Sequence, residues 1–73
     1  MAIILRHRKR LGDTLRLYRK SSGLTHEKLA ELADLHPNYV GEVERGETNI
    51  SLDALTRLAK ALKVRVRDLV ADV

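Results

Sequence analysis

An all-α fold of five short helices is what this sequence predicts, on three observations. Apolar residues recur three and four apart and not two apart, which is the period of a helix face. Capping residues and glycines punctuate that pattern every few helical turns. Finally, 73 residues make one small domain, near the lower size at which a core holds without metal, disulfide or partner chain. Such a domain is a good candidate for dimerisation.

The first helix is expected from about Arg8 to Ser22, with Leu11, Leu15 and Tyr18 on one stripe. Gly23 follows, where a left-handed residue closes a helix. Thr25 is a good N-cap for the second helix. Glu27 in its first turn complements the helix dipole, and Leu29, Ala30 and Ala33 form its inner face. Asp34 and Leu35 leave room for only a very short turn. The third helix opens at His36 with Pro37 in first position, where a missing N–H costs nothing and the fixed φ helps. Its Val40 and Val43 face inward, and Gly46 ends it. After the loop Glu47–Ile50, Ser51 caps a fourth helix whose Leu52, Leu55, Leu58, Ala59 and Leu62 are spaced for burial. A short fifth helix, roughly Val66 to Val70, closes the domain with Val64, Val66 and Leu69. Residues 1–10 read as an N-terminal basic arm and residues 11–73 as the domain proper.

Composition excludes several functions. No cysteine is present, so there is no disulfide framework, no cysteine zinc site and no thiol nucleophile. His7, His26 and His36 are scattered, with no acids at metal-ligand spacing, so neither a metal nor any other cofactor is expected. No Ser-His-Asp set or carboxylate pair stands out, and so small a domain has little room for an enclosed pocket. Enzymatic activity and a small-molecule substrate are therefore not expected. The longest apolar run, Ala2 to Leu5, is too short to span a bilayer, and the basic residues follow it, unlike a secretory signal. A cytoplasmic protein without membrane association is the expectation.

The net charge of +4 is unevenly spread. Residues 1–20 carry seven Lys and Arg against one acid, residues 21–50 two against six, and residues 51–73 five against three. A basic surface points to a polyanion, because neutralising phosphates releases counterions. Here it sits in the arm and first helix.

The second and third helices are separated by about three residues, and helices joined that tightly cross steeply, as in a helix-turn-helix. The stretch LGDTLRLYRKSSGLTHEKLAELADLHPNYVGEVERGETNISLDALTRLAKALKVRVRDLV, Leu11 to Val70, resembles the Cro/CI-type (XRE) helix-turn-helix regulators, particularly the small restriction-modification controller proteins. The ordered set GLT, KLAELA, YVGEVERG, NISLDALTRLAKAL and DLV carries the likeness. It implies a lambda-repressor-like fold and a homodimer on an inverted-repeat operator in double-stranded DNA. The third helix would lie in the major groove, with half-sites about one turn apart. On this resemblance the base-reading positions are His36, Pro37, Asn38, Tyr39 and Glu42. Phosphate contacts fall on Thr25 and His26 at the start of the second helix, and on Arg45, Thr48 and Asn49 after the third. Arg19 and Glu44 match a family pair that bridges the first and third helices, a structural role.

The chemistry of those residues supports the same reading. An Asn amide can pair with N6 and N7 of adenine, and a Glu can accept from N4 of cytosine. Asn38 and Glu42, four apart, share a helix face. Tyr39 offers a ring edge to a thymine methyl and a hydroxyl to a phosphate. Pro37 offers shape and apolar contact only. His26 stands where the family usually has Gln, and an imidazole can still donate to a phosphate. Gly41 inside a helix costs about 1 kcal/mol against Ala, so backbone or DNA is expected to come close there.

The arm admits three readings: a disordered tail, a basic strand whose Arg6, Arg8, Lys9 and Arg10 follow phosphate or enter a minor groove, or an apolar Ile3–Leu5 buried against a partner subunit. A mixed role is favoured. Leu17, Leu32, Ile50 and Val70 exceed the needs of one small core and supply candidates for a dimer interface near the last two helices. With no effector domain expected, regulation would act through occupancy, by blocking RNA polymerase or touching it. The rival reading is an antitoxin or protein-interaction module on the same fold. Nonspecific nucleic-acid binding through the arm is a weaker alternative, separable by its collapse in salt.

Overall fold

The computed structural model describes residues 5–73, and Ile3 and Ile4 of the arm lie outside them. Five helices follow in order: α1 Arg6–Ser21, α2 His26–Ala33, α3 Pro37–Glu44, α4 Leu52–Leu62 and α5 Val66–Leu69. No strand occurs among the described residues. No helix among them is long and apolar enough to cross a membrane. The helix α1 starts two residues before the expected Arg8, so Arg6, Arg8, Lys9 and Arg10 lie in its first turns.

The ends of the helices follow from local chemistry. The Thr25 hydroxyl accepts from the Lys28 amide at 3.0 Å and caps α2, and the Ser51 hydroxyl accepts from the Ala54 amide at 3.0 Å and caps α4. His36 caps α3 with its ring, Nδ1 accepting from the Asn38 amide at 3.1 Å, and Pro37 follows in the first turn. Gly23 and Gly46 take φ of +72° and +73° after α1 and α3, the left-handed conformation that glycine adopts without strain. Asp34 and Lys63 close α2 and α4 in the same region, at φ of 57° and 60°.

The α2 helix packs against α3 and α4, α1 packs against α3, and the short α5 rests on α4 and α1. Leu15, Leu29, Val40, Val43, Leu58 and Leu69 are the large side chains shut off from water at the centre. Burying each is worth about 1.5 to 3 kcal/mol. Leu52 departs from the expectation of burial. It is 70% exposed, because it occupies the first turn of α4, beyond the elements that cover Leu55 and Leu58. Ile50 and Val70 are partly buried against the core, whereas Leu17 and Leu32 stand out from it.

A helix inside this packing lacks a side chain for a reason the apolar pattern does not show. Gly12, in α1, is buried against the last turn of α3. A Cβ there would sit 2.4 Å from the Val43 carbonyl oxygen and 2.5 Å from that of Glu44. The two helix backbones meet at this point.

Candidate nucleic-acid interface

The α2 helix ends at Ala33 and α3 begins at Pro37. Between them Asp34 turns left-handed and the Leu35 amide bonds back to the Ala30 carbonyl at 2.8 Å. This tight link turns α3 so that Val40 and Val43 enter the core, and Gly41 is buried beside them. Asn38 is exposed and Glu42 half-buried. Among the described residues neither side chain has a hydrogen bond or an ion pair to the protein. Tyr39 leans on the core and Pro37 is half-buried. Thr48 and Asn49 follow in the exit loop, Thr48 half-buried and Asn49 exposed.

Two expected contact residues carry structural duties. The Nδ1 of His36 is engaged in the cap of α3, and Nε2 of His26 lies 3.0 Å from Glu44 Oε1. Arg45 is exposed, with Nε 3.0 Å from a Glu47 carboxylate oxygen. That hydrogen bond, with the charges of Glu47 and neighbouring acids, raises its guanidinium above the ordinary value.

One ionic cluster fixes the angle of α3. Arg19 donates from Nε to Glu44 Oε2 at 2.7 Å and from NH2 to Oε1 at 3.1 Å, a forked pair in the strong bidentate geometry. Its NH1 also donates to the Leu24 carbonyl at 2.8 Å. Burial pushes the Glu44 carboxyl up, but the hydrogen bonds and charges of Arg19 and His26 together outweigh it and hold the pKa below the ordinary glutamate value. Three elements are thus tied at one carboxylate: α1 through Arg19, α2 through His26 and α3 through Glu44.

Among the described residues, no other backbone comes close at Gly41. It is buried, and the nearest neighbour of a Cβ placed there is the guanidinium end of Arg45, at 3.0 Å. The glycine makes room for a flexible side chain. Gly41→Ala is therefore expected to displace that guanidinium cheaply and to stabilise the fold by up to about 1 kcal/mol through helix propensity. Thermal unfolding would show a midpoint higher by a few degrees, and a lower midpoint would place rigid atoms over α3.

Known proteins share this sequence pattern and fold. The family model for helix-turn-helix proteins (HTH_3) matches residues 15–69. The chain belongs to this XRE-type helix-turn-helix family. Its relatives are DNA-binding transcriptional regulators of the controller and repressor type. The control protein C.SmaI of Serratia marcescens is 46% identical over 56 residues, covering 77% of this chain and 67% of its own. The crystal structure of the restriction-modification controller protein C.AhdI from Aeromonas hydrophila superposes with a TM-score of 0.88 at 42% identity. It covers 89% of this chain and 98% of that one. A crystal structure of the biofilm master regulator SinR in complex with DNA matches with a TM-score of 0.77 at 33% identity, over 81% and 95% of the two chains.

The family likeness and the helical pattern both led to α2 and α3. Sequence reasoning missed Gly12, although an interior glycine in a helix pattern is itself a signal of close backbone approach.

Proposed function

We propose that the protein is a sequence-specific transcriptional regulator that binds an inverted-repeat operator as a homodimer, with α3 in the major groove. The observation that carries this reading is the outward pair Asn38 and Glu42, one turn apart on α3 and unengaged within the described chain. Paired amide and carboxylate groups at that spacing can read base edges. His36, Pro37 and Tyr39 flank them, His36 through the part of its ring not used in capping. Thr25 and His26 at the start of α2, where amides and the helix dipole favour an anion, and Arg45, Thr48 and Asn49 after α3 would hold phosphates. Arg6, Arg8 and Arg10 in the first turns of α1 would extend the basic margin of the domain. Their place on a helix favours phosphate contact over an extended strand in a minor groove.

The test is a binding selection from random duplex DNA at physiological salt, with wild type and Asn38→Ala. An enriched inverted repeat with half-site centres about one turn apart is expected. In the variant, preference should relax at one symmetric pair of positions, at about 1 to 3 kcal/mol per contact. Absence of any enriched motif, with binding that only fades as salt rises, would overturn the reading.

A further inference from the structure

A cleft of about 360 Å³ opens beside the C-terminal end of α3, between α1 and the start of α2. Its walls are cationic. Lys9, Arg16 and Arg19 line it from α1, His26 from α2 and Arg45 from the end of α3. The one carboxylate in the wall, Glu44, already accepts both Arg19 N–H groups and faces the His26 ring, so its charge is spent inside the fold. Lys9 pairs with Asp13 and Arg45 with Glu47. Among the described residues Arg16 has neither an ion pair nor a hydrogen bond to the protein, and it is exposed. Gly41 completes the wall, and its missing Cβ is what lets the Arg45 guanidinium lie across α3 toward the cleft.

We infer that this cleft seats a backbone phosphate of the bound DNA, with Arg16 as a direct ligand opposite Arg45 and Gly41 as the residue that positions Arg45. The inference rests on the DNA-binding reading above and extends it to α1, which that reading used only through its first turns. Two arginines lining one cleft suit a phosphate, because each guanidinium can present two N–H donors to neighbouring oxygens. Asp13 and Glu47 are exposed. Their hold on Lys9 and Arg45 is the weak, water-screened kind that an incoming phosphate can displace.

The experiment measures affinity as a function of salt for wild type, Arg16→Gln and Lys60→Gln, each on the selected operator and on a random duplex. Lys60 is an exposed cation on α4, which packs chiefly on α2, and controls for net charge. For Arg16→Gln the salt slope is expected to become shallower by about 0.9 per bound protomer. Binding should weaken equally on both duplexes, with base preference unchanged. Lys60→Gln should keep the wild-type slope. Gly41→Ala should lie between wild type and Arg16→Gln in affinity. An Arg16→Gln slope equal to wild type overturns the inference, as does an equal change in Lys60→Gln. Failure of the wild type to select any motif counts against the operator reading alone, since the slope remains readable on random duplex. In a parallel titration, inorganic phosphate is added to the DNA-free protein and followed by NMR. Saturable binding lost in Arg16→Gln, with the DNA slope unchanged, would assign the cleft to a free anion and also overturn the inference.

Discussion

Gly12→Ala is expected to destabilise the domain by about 3 kcal/mol or more, although alanine is the better helix former by about 1 kcal/mol. The added methyl would meet two carbonyl oxygens of the α3 backbone at 2.4 and 2.5 Å. Neither neighbour can rotate away as a side chain end can. Relief requires α1 and α3 to separate, and that loosens Leu11, Leu15, Val40 and Val43, all buried. A domain of this size holds only roughly 4 to 11 kcal/mol in total at 0.05 to 0.15 kcal/mol per residue, so the loss is a large share of it. The unfolding midpoint should fall by on the order of 12 °C or more. The contrast with Gly41→Ala makes the test sharp: both glycines sit in helices, and opposite signs are expected. Equal behaviour would mean that helix propensity outweighs the contact.

Removing the Glu44 carboxylate is expected to cost about 3 kcal/mol. The side chains of Arg19 and Glu44 are only 11% and 5% exposed, and stranding one partner of a buried pair typically costs about 3 to 5 kcal/mol. The low end applies because Arg19 keeps its bond to the Leu24 carbonyl. Glu44→Ala should therefore lower the denaturant midpoint strongly, while Arg19→Met combined with Glu44→Leu should recover much of the loss by leaving no orphaned charge. A loss below about 1 kcal/mol in Glu44→Ala would mean that the pair behaves as a surface ion pair. The same carboxylate sets an acid limb. Its pKa is held below the ordinary value, so its contribution is complete above the ordinary glutamate range and is lost as pH falls through the lowered folded value. In Glu44→Gln that limb should be shallower.

The two predictions meet at one place. Gly12 sets how near α1 lies to α3, and Arg19 with His26 and Glu44 sets the angle between α1, α2 and α3. On the proposed function, that geometry decides which bases Asn38 and Glu42 can reach. A side chain that reads a base edge must be held to within a fraction of an ångström by groups that never touch DNA.

Much of this was legible from residue order. Helix-period apolar spacing, Thr25, Ser51 and Pro37 as starts, and Gly23 and Gly46 as stops determined five helices and most of the core, because caps and amphipathic faces are local properties. The ordered motif from Gly23 to Val70 determined the family. The tertiary structure alone decided what depends on residues far apart in sequence. Leu52 has the spacing of a core residue and is exposed, because burial requires a partner surface opposite, and spacing supplies none. Gly41 was expected to admit a backbone or DNA, and within the protein its neighbour is the Arg45 side chain. His26 was expected to face phosphate and spends one ring nitrogen on Glu44, 18 positions away. Gly12 matters only because α3 folds back onto it. Local sequence sets where a helix begins, ends and is apolar, whereas close approach and pairing arise only when separate helices are brought together.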